Sequence, residues 1–193
     1  MLTPVTRQIK VLVVDDSAFM RKVISDILEE DPRIKVIAKA RDGIEAVEKV
    51  LKLSPDVITL DVEMPRMDGI AALEEIMRLK PRPVVMVSSL TRKGTAVTIN
   101  ALALGAVDFV AKPSGAISLD MRAVAQELRE KVLVAASIDI EKLMKVSSPA
   151  HEAKKMVPAK KGEVEVVAIA ASTGGPRAIQ SILERVKTTS IAP

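Results

Sequence analysis

Five short apolar runs recur along the chain, at Ile9 to Val14, Ile34 to Ala38, Val57 to Leu60, Val84 to Val87 and Asp108 to Ala111, most of them rich in β-branched residues. Continuous runs of this length suit strands buried on both faces, since a strand with one wet face would alternate. Helical segments fall between them. In Ala18 to Glu30 the apolar residues Phe19, Val23, Ile27 and Leu28 recur at three- to four-residue spacing. Ile44, Val47, Val50 and Leu51 do the same in a second segment, and Ile70, Leu73 and Met77 in a third. Asp120 to about Leu143 supplies a last helix. Strands joined by crossover helices run parallel, so the pattern predicts an α/β fold over residues 1–140, a doubly wound five-stranded sheet of order 2-1-3-4-5.

The alternation begins again further on. Val164 to Ala170 reads as a new buried strand and Pro176 to Val186 as the helix after it. One βα unit of about 30 residues is well below what forms its own core, so residues 164–193 are expected to open a second α/β domain that this chain does not complete. Glu141 to Glu163 lies between. It is polar, with Lys154, Lys155, Lys160 and Lys161 among Ser, Pro and Ala and no helical or strand period, as in a solvated linker.

The formal net charge of +4 comes from this latter part. Residues 1–140 carry 20 basic and 20 acidic side chains, and residues 141–193 carry 9 and 5. No aromatic residue is interleaved among the linker lysines, so the excess does not read as a nucleic-acid arm. Met1 to Lys10 lacks the apolar core of a signal peptide, and no run approaches the roughly 18 apolar residues of a membrane span. Cysteine is absent, which excludes disulfides and thiolate zinc sites. The expectation is a cytoplasmic protein that neither inserts into a membrane nor binds nucleic acid.

In doubly wound sheets ligands bind beyond the carboxyl ends of the strands. Asp15 and Asp16 end the first run, Asp61 the third, Ser88 the fourth and Lys112 the fifth. With strands one and three adjacent at the switch point, three carboxylates come together with a hydroxyl and an ammonium beside them. Such crowding forces one carboxylate to take a proton unless a cation neutralises the group. Oxygen donors without His or Cys suit a hard divalent ion, and Mg²⁺ is the one expected. Asp-Asp-Ser after a strand can also be a plain helix cap. The conjunction of all these strand ends with Met64, Pro65, Met67, Asp68 and Gly69, a turn leading the chain away from Asp61, favours a site.

These residues resemble the receiver domains of two-component response regulators, a flavodoxin-like fold. The resemblance implies that Asp61 takes a phosphoryl group from a histidine-kinase phosphohistidine. It further implies that Asp16, Asp61 and the main-chain carbonyl of Glu63 ligate Mg²⁺, with Asp15 assisting through water, while Ser88 and Lys112 steady the phosphoryl oxygens. Phe109 would occupy an aromatic switch position, with a plain core role as the alternative, and Lys112-Pro113 would be a cis peptide.

A second motif lies in Val166 to Pro176, which reads V-V-A-I-A-A-S-T-G-G-P: a buried strand, a small-residue turn and a proline suited to the first helical position. Ser172 sits at the turn, where a helix N-terminus would present N–H groups to a phosphate or developing oxyanion. A Ser/Thr helix cap is the plainer use of the same residues. After a receiver and a basic linker, the motif resembles that of the chemotaxis protein-glutamate methylesterases, the CheB family. That resemblance implies that Ser172 is the nucleophile of a Ser-His-Asp triad. The family's enzymes hydrolyse glutamate methyl esters, and deamidate certain glutamines, on the cytoplasmic helices of chemoreceptors, under control of a chemotaxis histidine kinase. No histidine or aspartate follows Thr173 and the single histidine, His151, lies in the linker, so this chain is expected to lack esterase activity. The alternatives are a receiver that acts only as a binding module, or a regulator whose output is DNA binding; the lack of a basic recognition helix argues against the latter.

Overall fold

The computed structural model describes residues 7–89, 94–112 and 124–140. Strands β1 (Ile9–Val14), β2 (Ile34–Ala40), β3 (Val57–Leu60), β4 (Val84–Ser89) and β5 (Asp108–Lys112) alternate with helices α1 (Ala18–Glu29), α2 (Gly43–Leu53), α3 (Gly69–Leu79), α4 (Gly94–Leu104) and α5 (Ala125–Ala136). The strands form one sheet of order β2-β1-β3-β4-β5 in which every pair is parallel, as the spacing predicts. Val11, Val13, Ile58, Leu60, Val84 and Val85 are fully buried, which explains why their runs show no polar alternation. The helices add Ile24 and Leu28 from α1, Leu73 and Ile76 from α3, and Leu128 from α5. Each such side chain contributes about 1.5–3 kcal/mol by leaving water.

Three of the helix starts are fixed by side chains that sit just past strand ends or loops. Ser17 Oγ accepts from Met20 N at 3.3 Å, Asp42 Oδ1 from Glu45 N at 3.0 Å and Asp68 Oδ1 from Ala71 N at 2.8 Å. Caps of this kind stabilise a helix by about 1 kcal/mol each. They also orient the loops at the carboxyl edge of the sheet.

Several boundaries and facings differ from the sequence reading. β2 runs to Ala40, two residues further than expected, and the last helix is shorter than expected, spanning Ala125–Ala136. Phe19 is 48% exposed, and α1 buries Ile24, Ile27 and Leu28 instead. A helix turns 3.6 residues per revolution, so a row spaced by fours drifts about 40° per step and Phe19 has left the face that Ile27 occupies. In α2 the buried row is Gly43, Ala46 and Val50, and Ile44 and Leu51 flank it in solvent. Helix α4 has no charged residue along its length, and its Ile99 is 61% exposed. Among the described residues no helix is long and apolar enough to cross a membrane. The linker, the second βα unit with Ser172, and the Lys112-Pro113 bond lie outside the described residues.

Candidate functional site

β1 and β3 are neighbours, so the residues just past their ends, Asp15 and Asp61, meet at the carboxyl edge of the sheet. Asp61 N donates to Val14 O at 3.0 Å and Asp15 N to Ala40 O at 3.1 Å, so both main chains leave the sheet still hydrogen-bonded to it. Carboxylate oxygens of Asp15, Asp16 and Asp61 all lie within 4.8 Å of one another. Asp15 and Asp61 are buried and Asp16 is exposed, so the cluster opens to solvent on one side.

Every group in this cluster is held. Asp15 Oδ1 accepts from Ser17 N at 2.9 Å, and Asp61 Oδ1 accepts from Val62 N at 2.7 Å. Lys112, the last residue of β5, reaches past β4 to donate to Asp61 Oδ2 at 2.5 Å. Its ammonium also lies 2.8 Å from Asp15 Oδ2, a close ion contact that lacks hydrogen-bond angles and leaves that oxygen without a formal donor among the described residues. Arg21 of α1 donates from NH1 to the carbonyls of Asp15 and Asp16, at 2.7 and 3.0 Å, and fixes the loop from behind.

Burial pushes the Asp61 carboxyl above its ordinary range, with the charge of Asp15 adding to the rise and Lys112 opposing it. Lys112 is under the reverse balance: burial would lower it, but Asp61 and Asp15 outweigh that and hold its ammonium above the usual lysine value. Three carboxylates and one ammonium meet in the pocket, so its ionised side chains carry two negative charges in excess. A divalent cation matches that excess. The donors are all oxygens, one of them buried and lacking a hydrogen-bond donor, so the residues present fit a hard ion.

The other expected members are placed less closely. Ser88 lies in β4, half-buried, in register with Ala111, one step before the Ser89 and Lys112 pair, so the backbone brings it to the same edge. The loop that follows it lies outside the described residues. Glu63 is exposed in the loop after Asp61. Phe109 is half-buried in β5 opposite Met86, and Lys131 of α5 donates to its carbonyl at 2.5 Å. Arg21 and the residues bracing the loop after β3 were not singled out from sequence, because an arginine on a helix face carries no local mark of the carbonyls it reaches.

A doubly wound parallel sheet with an acid pair, a buried third carboxylate and a lysine at the ends of β1, β3 and β5 defines the receiver class of α/β proteins. The chain belongs to the response regulator receiver domain family, which matches residues 11–124. Its fold is similar to the crystal structure of the response regulator domain of Thermotoga maritima CheB, at 58% identity and TM-score 0.65, over 69% of this chain and 99% of that one. It is also similar to the CheX-CheY-BeF3-Mg²⁺ complex from Borrelia burgdorferi, at 32% identity and TM-score 0.56, over 66% of this chain and 89% of that one. The protein-glutamate methylesterase/protein-glutamine glutaminase of Oceanobacillus iheyensis is 49% identical over 191 residues, 97% of this chain and 54% of the relative. The chain thus spans about half the length of the curated relatives it matches.

Proposed function

We propose that Asp61 is a phospho-acceptor and that its phosphorylation switches a chemotaxis methylesterase. The observation that carries this reading is the 2.5 Å hydrogen bond from Lys112 to Asp61, with Asp15 and Asp16 within 4.8 Å. A carboxylate oxygen of Asp61 attacks the phosphorus of a phosphohistidine on a histidine kinase. The P–O bond forms as the P–N bond breaks, and the imidazole leaves with the electron pair. Lys112 stands where charge develops on the transferring oxygens, and Ser88 is the hydroxyl suited to accept one of them once attached. Mg²⁺ would be held by Asp16, Asp61 and the Glu63 carbonyl, with Asp15 through water. Bound there it would supply compensation for the phosphoryl and carboxylate charge. The BeF3 and Mg²⁺ of the Borrelia complex support this choice of ion.

The division into a receiver over residues 1–140, a linker over 141–163 and the opening of a catalytic domain over 164–193 belongs to the same proposal. So do Ser172 as nucleophile, methylated chemoreceptor helices as substrate and a cytoplasmic location. Helix α4 supports a receiver that docks on its own output domain: with no charge along its length and Ile99 exposed, it is more apolar than a helix left in water needs to be. Phe109, on the neighbouring β5, is the side chain that would turn as the phosphoryl group draws Ser88 inward.

The test is uptake of phosphoryl from phosphoramidate. The wild-type chain should be labelled with Mg²⁺ and not after chelation, its fold unchanged, and Asp61→Asn should take up none. Labelling of Asp61→Asn at the wild-type rate would overturn the assignment.

A further inference from the structure

The loop between β3 and α3 carries both Asp61 and Glu63, and its far end contains a conformational oddity. Arg66 has φ 65°, in the left-handed region that non-glycine residues rarely enter. Around it Met67 N donates to Pro65 O at 2.7 Å, closing a three-residue turn whose positive central φ is the rare and strained form. A strained residue persists only where its surroundings over-determine it. What determines Arg66 is Asp42. Its carboxylate is 1% exposed, and its Oδ2 receives both Nε, at 2.9 Å, and NH2 of the Arg66 guanidinium. Oδ1 of the same carboxylate caps α2 through Glu45 N. Burial alone would push the Asp42 carboxyl up, but the Glu45 amide and Arg66 outweigh it and keep the group below its ordinary value. A second tie runs alongside, from Gly43 N to Met67 O at 3.0 Å. At that contact a Cβ on Gly43 would come within 2.8 Å of the Met67 carbonyl.

We propose that Asp42 and Arg66 form a brace from the start of α2 that positions the Asp61–Glu63 stretch and so sets how tightly the acidic pocket holds a divalent cation. The proposal rests on the reading of that pocket given above. Neither residue touches the pocket; both are positioning residues. Between the strand end at Leu60 and the cap at Asp68, the loop is tied by Gly69 N to Val62 O at one end and by the Asp42 and Gly43 contacts at the other. With the second tie weakened, the turn at Arg66 relaxes toward ordinary φ, and the Glu63 carbonyl loses its fixed aim while Asp15 and Asp16 stay put.

Mg²⁺ affinity of the full 193-residue chain, measured by calorimetric titration with MgCl₂, tests this directly. Asp42→Asn keeps an acceptor for the cap but removes the charge facing Arg66, and Arg66→Ala removes the guanidinium while keeping the strained backbone. Each should weaken Mg²⁺ binding about tenfold, the low end of what outer-shell residues control. Phosphorylation from phosphoramidate at saturating Mg²⁺ should stay close to the wild-type rate. Arg66→Lys should restore part of the affinity, and the double variant should be no weaker than the worse single one, as for two ends of one interaction. Wild-type Mg²⁺ affinity in well-folded Asp42→Asn and Arg66→Ala would overturn the brace and leave the pocket reading intact. A wild-type chain that binds no Mg²⁺ at all would overturn both.

Discussion

Lys112 Nζ donates to Asp61 Oδ2 at 2.5 Å although β4 separates their strands in the sheet. The lysine spans one strand spacing to reach the buried carboxylate, and both of its carboxylate neighbours raise its affinity for a proton. It is thus a permanent positive charge at the place where phosphoryl charge would develop. We predict that Lys112→Ala slows phosphorylation from phosphoramidate about a hundredfold or more, the usual loss when one preorganised donor is removed. Initial rates at saturating Mg²⁺ decide this, and an unchanged rate would remove Lys112 from the chemistry.

Most of the sheet could be read from the chain because parallel strands buried on both faces leave continuous apolar runs. The pocket was legible for a related reason: strand ends at the switch point are where such folds gather function, so Asp15, Asp61 and Lys112 could be picked out by position. Helix α4 has Ala, Thr, Val, Ile and Leu on every side, so no period marks its buried face. Thr59 reads as an ordinary β-branched strand residue. Asp42 reads as a cap and Arg66 as a loop residue 24 positions away, and nothing local says that they pair. What sequence pattern misses here is pairing across loops, which depends on three-dimensional proximity alone.

Thr59 gives a stability prediction. It lies in β3 two residues before Asp61, fully enclosed, and its Oγ1 has no hydrogen-bond partner among the described residues. A buried hydroxyl left unpaired costs about 1–3 kcal/mol, and valine has nearly the same shape. Thr59→Val should therefore raise stability by about 1 kcal/mol in urea denaturation. A loss of comparable size would show that the hydroxyl has a partner, such as an enclosed water.

Asp31, in the turn between α1 and β2, titrates low. Arg33 Nε and NH2 donate to its carboxylate at 2.9 and 2.6 Å and Arg33 N at 2.9 Å, which hold its pKa down to about 2. The folded value lies below the ordinary one of 3.8, so whatever stability this group contributes is present above roughly pH 4 and fades as pH falls toward 2. The pair is solvent-exposed, so high salt should shrink the effect. The Asp31 carboxyl followed by NMR should remain ionised at pH 3, and a midpoint near 4 at low salt would show that the Arg33 fork does not persist in solution.

Gly69 is the first residue of α3, a position where alanine would ordinarily favour the helix. Here the reverse should hold. A Cβ at residue 69 would lie 1.9 Å from the carbonyl oxygen of Asp61 and 2.9 Å from the Cα of Val62, while Gly69 N donates to Val62 O at 2.8 Å. The obstruction is main chain, so no rotamer change can relieve it; either α3 must lift or Asp61 must move. Overpacking against side chains costs about 1–3 kcal/mol, and a clash with backbone belongs at or above the top of that range. Asp61 carries the carboxylate that Lys112 holds at 2.5 Å, so displacement of its carbonyl should also disturb the pocket. Gly69→Ala is therefore expected to lose about 3 kcal/mol in urea denaturation and, under conditions where it remains folded, to phosphorylate more slowly than wild type. Asp68→Ala serves as the control: it should cost only the loss of a cap, about 1 kcal/mol. If Gly69→Ala proved no worse than Asp68→Ala on both measurements, the close approach of α3 to Asp61 would not be a constraint on the site.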